Sequence, residues 1–560
     1  MSKKLNKIVI IVFATVLVSS IFYGINKFNQ KENYIEASSK NSKETNCLLD
    51  INNYKSVRSI LDDKNNKENK EDEETKSNYK YVTWNLQSLY PSDEAWEKEL
   101  SKFEKDISEL DNYTGKVTKS KTHFISALKI KEKLDIKLEK LYAYAKLNKD
   151  INKNSYKYLD MINKIGTVDS KYSRICSDLE LEILKLPDST YNEYLKSKKV
   201  NKRYKMYLEE IRKSKEHYLD EKSEDIINKM GNIVSLPSNV YDLFTNMDKN
   251  SEDTPSEYSS KIRSSDRNTR KTAFTNEFVI YNDNINTLSG LLVGQANKNI
   301  FFSNVRNYNS SLEMYLEGDE VDTKIYNNLI DTVGKNSESL HKYISLRKKL
   351  LNIDKVHYYD MFAPIVEEQN SEISYDKAIS LAYAALEPLG DQYEDIAYKA
   401  FNERWVDVYS NENKVGGGYC LSVYANHPYI LLNYDNSLDS VSTLVHELGH
   451  GVYSYLSQKN QKYYNAQPSI FTHEVASTTN EALLYEFLIK NAGNDKQKAY
   501  YITQYMDFIK DTLYTQTMYA EFERDVHSML ENNENVNTLV LNDLWSQLLK
   551  KYYGKDFEVD

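Results

Sequence analysis

The sequence predicts a mainly α-helical protein with one small β-sheet placed directly before its most informative helix. Only 16 Gly and 8 Pro interrupt 560 residues, and 28% of residues are charged. Turn signals are therefore scarce, and the composition suits long amphipathic helices with solvated faces. Apolar residues recur at steps of three and four through most of the chain. The interval from Trp405 to Tyr434 differs, being rich in β-formers bounded by Gly and Asn. A net charge of −10 argues against nucleic acid as a partner. Cys47, Cys176 and Cys420 are odd in number and widely spaced, so neither a disulfide framework nor a cysteine metal site is expected.

Taken in order, residues 1–25 are a targeting segment. Lys3, Lys4 and Lys7 precede an uncharged run from Ile8 to Ile25, long enough at 18 residues to reach the lower end of a spanning helix. The expectation is an N-terminal transmembrane anchor, basic end inside, with the folded body outside at a bacterial cell surface. A cleaved signal that releases a secreted protein is the alternative. Residues 26–78 are polar and charged and are expected to form a disordered tether. Residues 79–215 then form an N-terminal helical domain. Ser92 opens a helix whose Trp96, Leu100, Phe103, Ile107 and Leu110 step by four and three, and further helices are expected near 123–149, 155–184 and 187–213. From 216 to 560 a second, larger domain continues with helices such as 325–333, 340–351 and 378–400. Val406, Val408, Tyr409, Val423, Tyr424 and the run Tyr429–Leu432 predict a sheet of two or three strands. Within it, Gly416, Gly417 and Gly418 would let another backbone approach without side-chain interference, and equally describe an ordinary flexible turn.

The helix after the sheet carries the chemistry. Ser437 or Asp439 can cap it, and Leu438, Val441, Val445, Leu448, Val452 and Leu456 give it an apolar stripe. His446 and His450, four apart, share one face, so both imidazoles can reach one metal. Glu447 follows the first His, where a carboxylate can contact a metal-bound water without being a ligand, the arrangement of a zinc peptidase. Gly449 and Gly451 each weaken the helix by about 1 kcal/mol relative to Ala, which suggests a close-passing backbone. A third ligand is needed. Glu474 is the best candidate, on a second helix whose Glu474, Thr478 and Glu481 share a face. Glu481 suits a carboxylate that accepts from a ligand imidazole N–H. His473 is a rival ligand, directed elsewhere on that helix.

His446–His450, with Glu474-Val475-Ala476-Ser477-Thr478 and Asn480-Glu481, resembles the oligoendopeptidase F branch of the thimet-type (M3) zinc metallopeptidases. So do Arg404–Tyr409, Val415–Cys420, Pro428–Tyr434 and Gln516–Glu523, and the likeness runs from about Tyr79 to the end. The resemblance implies a helical thimet-oligopeptidase, zincin-like body around a deep channel, with residues 216–560 as the catalytic domain. It implies one zinc per chain on His446, His450 and Glu474, with Glu447 as general base and Glu481 behind a ligand imidazole. Short peptides are the implied substrates, lying along the sheet near Gly416, Gly417, Gly418, Tyr419, His427 and Tyr429. Family members continue past Asp560 with a His- and Tyr-rich stretch that donates to the oxyanion. A catalytic domain truncated at its C-terminus is therefore expected, with His427 or Tyr424 the available substitute. Loss of one such donor typically costs ~10²–10³ in rate. Leu541, Leu544, Leu548 and Leu549 would then present an apolar helix face without cover. Two alternatives stand beside this. One is a catalytically impaired surface protein that binds peptide and metal; the other is a helical metallocarboxypeptidase, which should show a basic cluster for a free carboxylate near the motif.

Overall fold

The computed structural model describes residues 82–560 apart from positions 221, 224–225, 228–229, 235, 246–248, 250, 252, 254, 368–371 and 468. In chain order its longer helices and its strands are α1 (Asp93–Asp111), α2 (Lys121–Ile151), α3 (Tyr156–Leu184), α4 (Lys198–Lys213), α5 (Arg267–Asp283), α6 (Ile285–Val305), α7 (Thr323–Lys335), α8 (Glu338–Leu351), α9 (Tyr375–Leu386), α10 (Asp391–Asn402), β1 (Val406–Tyr409), β2 (Tyr419–Leu421), β3 (Tyr429–Tyr434), α11 (Leu438–Asn460), α12 (Ile470–Lys490), α13 (Asp495–Ile509), α14 (Gln516–Glu531) and α15 (Thr538–Tyr553).

The expectation of a transmembrane helix, with a membrane partner and an extracellular body, is corrected by this fold. Among the described residues no helix is long and apolar enough to cross a membrane. The long helices interleave charge with their apolar stripes, as Lys131, Glu132 and Glu139 do in α2. The run Ile8–Ile25 and the tether at 26–78 lie outside the described residues.

Two compact units divide the chain. One joins the N-terminal helices, up to Lys215, with Asn370–Asn491. Here α1 follows from its pattern: Ser92 Oγ accepts from the Ala95 N–H, and Trp96, Leu100, Phe103, Ile107 and Leu110 are all buried. The single helix expected near 187–213 is instead two, Asp188–Leu195 and α4, divided at Lys196 and Ser197. The predicted sheet has three strands in the order β1-β3-β2, with β3 parallel to β1 and antiparallel to β2. Val406 pairs with Ile430, and Tyr419 with Leu431. Central β3 is buried from Tyr429 to Leu432, which explains a continuous apolar run instead of alternation. α11 packs on this sheet and along α12.

The other unit comprises the described residues of Glu216–Gln369 and Ala492–Asp560. Its core gathers Leu329, Val333, Leu340, Tyr343 and Ile344 of α7 and α8 around Leu548, Leu549, Tyr552 and Tyr553 of α15. The apolar face of α15 is thus covered, against the expectation that it lacks cover. Leu541 is buried and Leu544 packs against the same cores, while Leu539 stays 78% exposed. Buried Asp360 accepts from Arg267 and Arg270, and the Asp360 carbonyl accepts from Arg347, tying α5 to α8.

Candidate metal centre

α11 begins at Ser437, whose Oγ accepts from the Ser440 N–H at 3.1 Å. One turn apart on its face, His446 and His450 bring their Nε2 atoms to 3.2 Å. Glu474 enters from α12, with Oε2 3.6 Å from His446 Nε2 and Oε1 3.7 Å from His450 Nε2. Among the described residues these three form the group able to hold a metal, with donor atoms all within 4.8 Å of one another. Gly449 makes the meeting possible. A Cβ there would lie 2.7 Å from Ser477 Cα and 2.9 Å from the Ala476 carbonyl oxygen, the close backbone its presence in the helix suggested. Gly451 differs, since its Cβ would meet the Ile430 side chain at 3.3 Å.

Around the three donors the side chains are held in turn. Glu481 Oε2 lies 2.7 Å from His446 Nδ1, and Glu481 Oε1 accepts from Ser442 Oγ at 2.9 Å. A carboxylate on Nδ1 keeps the proton there and turns the Nε2 lone pair inward. Ser477 Oγ donates to Glu474 Oε2 at 2.9 Å. Asn480, 1% exposed, donates to the Val445 carbonyl at 2.7 Å. No role was expected from sequence for Ser442, Ser477 or Asn480, although Ser477 and Asn480 stand in the stretches that carry the resemblance. Their signal is spacing: Ser442 precedes His446 by four, and Ser477 and Asn480 follow Glu474 at steps of three, small polar residues on otherwise buried faces.

Electrostatics separate the groups. Burial, then the negative charges of Glu474 and Glu481, pushes Glu447 up to about 7 against the opposing pull of His446. Burial works against a charged His446, but Glu481, Glu447 and Glu474 bring it up to about 9. Burial and the neighbouring His446 hold His450 well below its ordinary value. His473 is lowered to about 4 by burial; its ring lies 5.3 Å from that of His450 and edge-on to Tyr453, and it is not one of the three converging donors.

A divalent ion fits these residues. Bonds of ~2.0–2.1 Å in a tetrahedron place two ligand nitrogens about 3.3 Å apart, close to the observed 3.2 Å. Two imidazoles and a carboxylate are also a donor set suited to zinc. Glu447 Oε2, buried without a protein partner, lies on the residue next to the first of them.

The sheet residues divide. Gly418 abuts the site, since a Cβ there would lie 2.9 Å from Thr443 Cγ2 and 3.6 Å from Glu447 Oε1. Gly417, at φ +81°, needs the left-handed freedom of glycine, and Asn433 Nδ2 donates to the Val415 and Gly417 carbonyls on either side of Gly416. Tyr419, His427 and Tyr429 direct their polar atoms elsewhere. The Tyr419 hydroxyl donates to Asp150. His427 stacks on Trp405 with Nδ1 2.8 Å from the Pro428 carbonyl, and the Tyr429 hydroxyl is 2.6 Å from Ser88 Oγ.

A helical body bearing this histidine–glutamate constellation defines a metallopeptidase. A family model described as Peptidase family M3 matches residues 261–560, and one described as Oligopeptidase F matches 182–249. The chain belongs to peptidase family M3, in its oligoendopeptidase F branch, and is a metalloendopeptidase. It is 34% identical over 489 residues to oligopeptidase PepF of Bacillus subtilis, covering 85% of this chain and 73% of that one. It is 32% identical over 489 residues to an oligoendopeptidase F homolog of Borreliella burgdorferi, covering 85% and 82%. The crystal structure of oligoendopeptidase-F from Enterococcus faecium superposes with a TM-score of 0.63 at 26% identity, covering 83% of this chain and 81% of that one.

Proposed function

We propose that this metalloendopeptidase is a zinc enzyme that cleaves short peptides, with His446, His450 and Glu474 holding one zinc per chain. Bound there, zinc supplies Lewis acidity toward the scissile carbonyl and lowers the pKa of water towards ~7. Glu447, whose Oε2 is buried without a protein partner, takes a proton from the attacking water and passes it to the leaving amine. Glu481 holds His446 in the tautomer that presents Nε2, and Ser477 aims one oxygen of Glu474. Gly418 keeps side-chain bulk away from Glu447 and leaves room for a peptide backbone beside it. The substrate class is supported by the relatives, among them an oligopeptidase and an oligoendopeptidase F homolog.

The observation that carries this reading is the convergence of three ligand atoms from two helices beside a buried carboxylate without a partner. The test pairs two variants. Glu447→Gln is expected to keep one zinc per chain and to lose hydrolysis of quenched fluorescent oligopeptides by orders of magnitude, while His446→Ala is expected to lose the metal. Parent-like zinc content in His446→Ala refutes the ligand set, and parent-like activity in Glu447→Gln refutes the base.

A further inference from the structure

Asn480 stands where the two ligand-bearing helices meet, and its amide reaches both sides of the junction. Nδ2 donates to the Val445 carbonyl at 2.7 Å and to the Tyr393 hydroxyl of α10 at 2.6 Å. Val445 is the residue immediately before His446. Its carbonyl lies in the interior of α11, where the helix supplies one partner, so the amide of Asn480 is an added, interhelical donor on the turn that carries the first histidine. Asn480 is 1% exposed, so both bonds form out of water, where a lost partner is costly. Burial keeps the Tyr393 phenol protonated far above its ordinary value, so its oxygen is a neutral acceptor for the second amide hydrogen.

The same face of α12 carries the rest of the assembly. Glu474, Ser477, Asn480 and Glu481 follow at helical steps. They are respectively a metal donor, the hydroxyl that aims it, the junction amide and the acceptor behind His446. A turn from Asn480, the backbones touch at Gly449 and Ser477. Close contact alone leaves α12 able to slide or roll on the glycine; a directed hydrogen bond to one carbonyl removes that freedom.

We propose that Asn480, backed by Tyr393, is a positioning residue for the metal centre. It locks α12 on α11 in the register that sets both Glu474 oxygens opposite the two Nε2 atoms. This rests on the metal reading above, and it assigns a task to a residue that touches neither metal nor substrate.

Aspartate has the shape of asparagine without the N–H. Asn480→Asp therefore keeps the packing and sets an oxygen against the Val445 carbonyl. Tyr393→Phe removes only the second bond and leaves Asn480 in place. The experiment measures zinc affinity of the full chain by competition with a chromophoric chelator, alongside the melting temperature of the metal-free protein. Expected is one zinc per chain in the parent, 10–100-fold weaker binding in Asn480→Asp, and an intermediate loss in Tyr393→Phe, whose metal-free melting falls modestly because one buried N–H loses its acceptor. A folded Asn480→Asp that binds zinc within threefold of the parent overturns the proposal. Should Asn480→Asp fail to fold, Tyr393→Phe decides, and parent-like affinity there overturns it equally. A parent that binds no zinc overturns the metal reading itself, a result distinct from any difference between variants.

Discussion

Substituting alanine at the two glycines of α11 separates backbone contact from helix propensity. Each exchange should gain about 1 kcal/mol of intrinsic helix stability. At Gly449 the new Cβ would sit 2.7 Å from Ser477 Cα and 2.9 Å from the Ala476 carbonyl oxygen. Neither atom can rotate away, so the helices must part by roughly 0.8 Å or more to restore ordinary carbon contact at about 3.5 Å. Overpacking of this kind costs about 1–3 kcal/mol, leaving a net loss of roughly 0–2 kcal/mol. The separation acts beside Glu474, which already stands 3.6 and 3.7 Å from the two imidazole nitrogens. The metal should therefore suffer more than the fold. At Gly451 the Cβ meets side chains alone, Ile430 at 3.3 Å and Cys420 Sγ at 3.8 Å, so the propensity gain should survive there. Chelator competition for zinc affinity and calorimetric melting of the metal-free chain read the two quantities independently. Expected is Gly449→Ala with zinc bound at least tenfold more weakly, and Gly451→Ala near parental in zinc and neutral or stabilised in melting. Parental zinc affinity in Gly449→Ala would refute the argument that the glycine contact sets the ligand geometry.

Two further predictions concern buried charge. Lys414, whose side chain is fully buried, donates to Asp407 Oδ1 at 2.7 Å and to the Asp407 and Tyr409 carbonyls. Lys414→Met strands the Asp407 carboxylate and should cost about 3–5 kcal/mol; chemical denaturation checks it, and a loss below about 1 kcal/mol contradicts it. Glu523 is raised by burial from 4.5 to about 7. A raised carboxyl pKa means that the folded state binds the extra proton, so this group's contribution is fully present below about 4.5 and is lost as pH rises through about 7. At about 1.4 kcal/mol per unit, the loss is at most roughly 3.5 kcal/mol. Glu523→Gln should accordingly stabilise the chain at pH 8 but not at pH 4.5, and an equal difference at both pH values rejects the assignment.

Helix α1 shows how much was legible in the sequence. The cap at Ser92 and five apolar residues at helical steps are sufficient to define its start and its buried face, because those properties are local. The histidine-bearing helix α11 is similar, since a spacing of four fixes two imidazoles on one face wherever the helix lies. Connectivity among distant residues was not legible. That the N-terminal helices share a compact unit with Asn370–Asn491 follows from packing alone, as does the cover over α15 by α7 and α8. The surroundings of the sheet residues expected to face substrate were set by packing for the same reason. Gly418 lies against Glu447 through backbone position, while the side chains of Tyr419 and Tyr429 are drawn to Asp150 and Ser88, far away in sequence.

The sequence by itself determined the helical class, the strands before α11, and which residues are candidate donors, since periodicity and residue chemistry are properties of short stretches. Tertiary structure alone decided how Glu474 is presented to the histidines. That depends on a glycine letting two backbones touch and on Asn480, Ser442 and Ser477 finding partners on other turns and helices. A hydrogen bond between residues 35 apart, as from Asn480 to Val445, leaves no periodic trace in either segment; it exists only once the two helices have been packed together.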